Sequence, residues 1–117
     1  MSDEITIFER ILNKEIPAEI VFENDSVLAF KDISPQAATH ILFIHKKLKT
    51  RDVSEMMKNA PKQVSDIFKA ITNFAMDSGL DKSGYRIVTN QGISGGQSVF
   101  YTHFHLLADT SLGGFGK

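Results

Sequence analysis

Two histidines, His103 and His105, stand two residues apart at the end of one continuous run. That run is Gly95-Gly96-Gln97-Ser98-Val99-Phe100-Tyr101-Thr102-His103-Phe104-His105-Leu106-Leu107. Imidazole is the side chain best suited to act as nucleophile, acid or base near neutral pH. If the run is an extended strand, residues i and i+2 point the same way, about 6.6 Å apart at about 3.3 Å per residue. Tyr101, His103 and His105 then share one face, and Phe100, Phe104 and Leu106 take the core side, with Thr102 as the polar exception. One imidazole could attack a phosphorus or acyl centre while the other donates a proton to the leaving group. Ser98 and the glycine-rich backbone before it could donate hydrogen bonds to developing negative charge on oxygen. His40 could join them if its strand lies beside this one. The same rings could instead ligate a metal, with His40, His45 or an aspartate as the third ligand. Residue chemistry alone leaves phosphoryl transfer, acyl transfer and metal binding open.

What must hold these residues is a single domain, since 117 residues suffice for one core and not for two. A net charge of −1 with 23% charged residues argues against broad electrostatic binding to nucleic acid or to a membrane surface. The one basic cluster, His45-Lys46-Lys47-Leu48-Lys49, reads as a solvated turn after a strand, with His45 in water. There is no cysteine, hence no disulfide and no thiolate ligand. No apolar run approaches the roughly 20 residues of a transmembrane helix. The acidic start, Met1-Ser2-Asp3-Glu4, lacks the positive region of a secretory leader, so a cytoplasmic location is expected.

Ile7, Phe8, Ile11 and Leu12 fall at helical spacing, in a short helix that Pro17 keeps from running on. Residues 18–22 and 27–31 form a hairpin around the turn-forming Glu23-Asn24-Asp25-Ser26. Residues 39–45, with Ile41-Leu42-Phe43-Ile44, suit a central strand covered on both faces. A short helix is expected over 52–58. Asn59 then caps the main helix, where Val64, Ile67, Phe68, Ile71, Phe74 and Ala75 form a stripe that Gly79 closes. Strand four spans 85–89, a glycine-rich loop spans 90–96, and the opening run is strand five. Residues 108–117 are expected to be a mobile or partner-docking tail. Strands, a long helix and more strands imply an α+β domain with a five-stranded, mostly antiparallel sheet and one or two short helices besides the long one. Asp32 and Asn90, taken alone, are turn residues at strand ends.

Several ordered blocks together resemble the histidine triad (HIT) superfamily, nearest its nucleotide-binding, nucleoside phosphoramidase branch. They are Gly95 to Val99, His103-Phe104-His105-Leu106-Leu107, Ile7-Phe8, and Lys14-Glu15-Ile16-Pro17-Ala18. Ala29 to Ala37, Thr39-His40 and Asn90-Gln91-Gly92 complete the set, so the resemblance covers nearly the whole chain. It implies a hydrolase that binds a purine nucleoside monophosphate unit and cleaves the bond beyond its α-phosphate, with no cofactor and no metal. By motif position His103 would be the nucleophile that forms a nucleotidyl-histidine, and His105 would contact the phosphate and bridging atom. Ser98 would hydrogen-bond near the leaving group, Gln97 and Gly96 would line the phosphate site, and His40 would support the histidine network. Asp32 would accept bonds from the ribose hydroxyls. Ile33, Phe30, Phe8, Ile7 and Ile11 would form the base pocket, and Asn90 would hold the phosphate or nucleoside. The family also implies a homodimer whose sheets join, with the main helix and strand four at the interface.

The sequence departs from the family pattern in four places. Tyr101 stands where the first triad histidine belongs, and a phenol does not titrate near neutral pH. Thr6 and Glu9 occupy positions that carry zinc-binding cysteines in some relatives, so structural zinc is not expected. Ala108-Asp109 replaces a glycine pair, and the tail lacks the usual tryptophan and prolines. Reduced or altered activity follows, or, as the alternative, a nucleotide sensor or scaffold that kept the pocket.

Overall fold

The computed structural model describes residues 4–114. Thr6 caps α1 (Ile7–Leu12) through a reciprocal box: its hydroxyl accepts from Glu9 N–H at 3.2 Å, and the Glu9 carboxylate accepts from Thr6 N–H at 2.7 Å. Three strands follow, β1 (Ile20–Glu23), β2 (Val27–Lys31) and β3 (Thr39–His45). Asn24 closes the first hairpin by accepting from Ser26 and Val27 N–H. Then come α2 (Val53–Asn59), α3 (Pro61–Asp77) and a single turn, α4 (Leu80–Ser83). β4 (Tyr85–Val88) and β5 (Phe104–Ala108) complete the chain. The fold is α+β, and among the described residues the helices number four, one long and three short, against the two or three expected.

The five strands make one antiparallel sheet in the order β1-β2-β3-β5-β4, with β3 at the centre. Both faces are covered, as its unbroken apolar run requires. Val27, Ala29, Ile41, Phe43, Phe104 and Leu106 pack on one face against Ile67, Ala70, Ile71 and Ala75 of α3. Leu28, Phe30, Leu42 and Ile44 pack on the other against Phe8 of α1 and against Tyr101. That second face carries the site.

Several expectations are corrected. Asn59 is the last residue of α2 rather than a cap, and the break falls at Ala60, with Pro61 opening α3. Strand five starts only at Phe104, because residues before it bond to the 45–51 connection instead of to a neighbouring strand. Thr102 N–H donates to Thr50 O at 3.0 Å, and their hydroxyls meet at 2.7 Å. Phe100 is not core: it is half-buried under the Arg51 guanidinium, 4.3 Å from the ring centroid. His45 is not solvated but 2% exposed, with Nε2 2.9 Å from Asp66 of α3.

Ala108, expected to begin a loose tail, ends β5 opposite Thr39 and Tyr85. Beyond it Ala38 N–H donates to Thr110 at 2.8 Å, and Arg86 donates to the carbonyls of Leu112 and Gly113. Residues 115–117 of the expected tail, and residues 1–3 of the acidic start, lie outside the described residues.

Candidate active site

Sheet register brings the site together. Phe30, Leu42, His105 and Val88 stand opposite one another in a row across β2, β3, β5 and β4. His40 and Leu107 form the next pair of that row's neighbours, so His40 and His105 are diagonal partners on one face. Their rings meet with His40 Nε2 2.8 Å from His105 Nδ1. His103, just before β5, continues the alternation, its ring centroid 5.1 Å from that of His105.

Each imidazole is oriented by its partners. His103 Nδ1 lies 2.7 Å from the Tyr101 carbonyl, which can only accept. The His103 proton therefore sits on Nδ1 and the lone pair on Nε2. Phe8 packs edge-on against the ring, 4.9 Å between centroids at 84°. Asp32 lies between its own loop and the histidine network: one oxygen accepts from Ser34 N–H at 2.7 Å, the other is 3.5 Å from His40 Nε2.

These rings sit in a cavity of about 890 Å³, within the usual range for small-ligand sites. Ile7, Phe8, Ile11, Phe30 and Ile33 supply apolar lining, and Asp32, His40, Asn90, Gly96, Ser98, His103 and His105 line it with polar side chains and backbone. Burial depresses all three site histidines; for His103 the bond to the Tyr101 carbonyl opposes it in part, and Asp32 does so for each ring. His105 falls furthest, to about 4, because its two histidine neighbours add to the desolvation. All three are neutral at pH 7, which is the nucleophilic form.

Two of the expected site residues do not line the cavity. The Gln97 amide is turned inward, donating to the carbonyls of Arg51 and Val99 and accepting from Gly92 N–H. The Tyr101 hydroxyl donates to the His45 carbonyl, beneath the site, and burial pushes the phenol up to about 12. The loop also spends its own donors: Gly95, Gly96 and Gln97 N–H groups bond to the Gly92 and Ile93 carbonyls. Ser98, next along this segment, lines the cavity. Asn90 braces the loop by donating to Gly95 O at 2.8 Å.

Sequence reasoning missed Arg86, Val88, Leu42 and Leu107, which wall the cavity from β4, β3 and β5. Arg86, Val88 and Leu42 carry no motif, and Leu107 stands in the block from His103 to Leu107 with no role read from it; the pairing register, which a sequence does not print, places all four there. Asp32, His40 and His105 bring three ligand-type atoms within 4.8 Å of one another. An ion there would have to replace the hydrogen bond between the two rings.

The HIT domain family model matches residues 13–112. The chain belongs to the HIT family. Its relatives include the purine nucleoside phosphoramidase of Escherichia coli, 39% identical over 110 residues that cover 94% of this chain and 92% of that one. The adenylylsulfatase of Arabidopsis thaliana is 44% identical over 115 residues, 95% of this chain and 76% of the relative. Among solved structures, the HIT family hydrolase from Clostridium thermocellum superposes with a TM-score of 0.89 at 36% identity, covering 99% and 100% of the two chains. A histidine triad protein from Clostridium difficile gives 0.90 at 37%, covering 98% and 99%. The HIT family resemblance read from His103, His105 and the ordered blocks is thereby established, together with its α+β fold.

Proposed function

We propose that this HIT family protein hydrolyses purine nucleoside monophosphate derivatives, cleaving a phosphorus–nitrogen or related bond beyond the α-phosphate. The observation that carries the proposal is the orientation of His103. Its Nδ1–H is spent on the Tyr101 carbonyl, so Nε2 is left as a lone pair beside His105. In the first step that lone pair forms a bond to phosphorus while the leaving group departs with its electron pair and gains a proton. In the second, water attacks phosphorus, the nucleoside monophosphate leaves, and neutral His103 returns.

The other residues take roles that their places support. Ile7, Phe8, Ile11, Phe30 and Ile33 receive the base, and Asp32 accepts from the ribose hydroxyls. His105, Ser98 and Asn90 surround the phosphate, Gly96 lines the same cavity with its N–H already bonded to Ile93 O, and His40 orients His105. Tyr101, at the position of the first family histidine, holds His103 through a main-chain carbonyl that any residue would supply. That favours an enzyme over a sensor that lost catalysis. A homodimer with β4 edges joined, and a cytoplasmic location, complete the proposal.

Incubation with adenosine 5′-phosphoramidate should release AMP, and His103→Ala should abolish release while AMP still binds by calorimetry. Full turnover by that variant would overturn the assignment. Binding of AMP by the native chain with no turnover of any phosphoramidate would favour the sensor. Light scattering of the native protein reads the dimer.

A further inference from the structure

The main-chain N–H of Gln36 points at His40 Nδ1 from 3.1 Å. A peptide N–H donates and cannot accept, so this ring nitrogen must present its lone pair. The His40 proton is then on Nε2, facing His105 Nδ1 at 2.8 Å and Asp32 at 3.5 Å. His105 Nδ1 accepts it, which places the His105 proton on Nε2. His103 carries the opposite tautomer, fixed by the Tyr101 carbonyl. One end of the histidine chain is set by a main-chain acceptor and the other by a main-chain donor.

We propose that the Gln36 N–H is the positioning group that locks His40 and His105 in one tautomer. It makes His105 a fixed hydrogen-bond donor and denies the pair a second proton. A proton added to His105 Nδ1 would force the His40 proton round to Nδ1, against the Gln36 N–H. A proton added to His40 would meet the same obstacle directly. Either charged state requires the 33–38 loop to move away. The lock has something to resist. Asp32, from the connection between β2 and β3, favours a proton on His40, whereas burial opposes one; on the same cavity wall Lys31 is exposed and paired with Glu19, and Arg86 donates to the Leu112 and Gly113 carbonyls.

This bears on the hydrolase reading, on which its catalytic meaning rests. Donation of the Nε2 proton would leave His105 an imidazolate. A proton passed on from His40 would only move the deficit, because the Gln36 peptide has none to give. The pair therefore binds and orients phosphoryl oxygens, and water supplies the proton that the leaving nitrogen takes with its electron pair.

Long-range proton–nitrogen correlation spectra of the 15N-labelled full chain at pH 7 test the lock without reading turnover. His40 and His105 should be protonated on Nε2 and bare on Nδ1, His103 the reverse, with no imidazolium among them. Gln36→Pro removes the N–H, and the pair should then gain a proton with tenfold or greater affinity, about one pH unit higher than in the native chain. Gln36→Ala keeps the N–H and should titrate as the native chain does. A proton on His105 Nδ1, or an imidazolium at His40 or His105 in the native chain, would overturn the proposal. So would a folded Gln36→Pro variant that titrates unchanged. If that variant does not fold, the native tautomers alone decide. Absence of phosphoramidase activity would sink the hydrolase reading and leave these spectra as informative as before.

Discussion

Tyr101 shows how one residue can look catalytic in a sequence and be structural in the molecule. Its hydroxyl bonds to the buried His45 carbonyl, while its own carbonyl aligns His103. Tyr101→Phe removes the first contact and keeps the second. It should cost about 1 kcal/mol in urea denaturation, with turnover falling far less than in His103→Ala. The sequence placed Tyr101 near the histidines but could not say which of its groups mattered. His45 was misread for a similar reason. Its lysine neighbours suggest water, and nothing local announces Asp66, 21 residues on, which depresses its own carboxyl by bonding His45. Polar residues are legible by type, whereas their partners come from packing.

At the scale of elements, periodicity served best where a segment obeys one rule throughout. β3 spans 39–45 as read, and α3 carries its apolar stripe from Pro61 to Asp77. Junctions fared worse: α2 and α3 are separated by Ala60 alone, so no polar cap precedes the second helix. α1 is a sharper case, because its cap lies at two residues that drew notice only as missing cysteine positions. Thr6→Ala should destabilise the fold by about 1 kcal/mol, read by thermal or urea unfolding. It should also raise KM for the nucleotide, since Ile7, Phe8 and Ile11 wall the cavity from this helix. In the glycine loop, a Cβ on Gly95 would collide with the Gln91 carbonyl, and Gly96 holds φ at +87°. Gly95→Ala should therefore displace Ser98 and lower kcat more than it lowers stability, a split that kinetics beside denaturation would reveal.

For the whole molecule, three neutral histidines in one cavity set an acid limit. Their folded values lie below the ordinary 6.5, so below that pH the unfolded chain binds more protons than the folded one. Stability is then fully present above about pH 6.5 and declines as pH falls toward 4, where His105 titrates in the folded state. Melting temperature against pH should show that slope, and His105→Asn should flatten it. The α+β class was legible from strand and helix order, and the cavity's motif-bearing residues from the family blocks. The strand order was not, because β5 enters between β3 and β4, and no local pattern records which edge a late strand will choose.

That insertion has a consequence for how the protein is made. Until residues 104–108 have been synthesised, β3 keeps an open edge and β4 has no neighbour in the sheet. A chain stopped before Phe104 lacks more than the strand that carries His105; its sheet is missing the piece that joins one half to the other. Completion of the sheet and completion of the candidate site are a single event in translation, so a chain stopped before it has no route to a complete site.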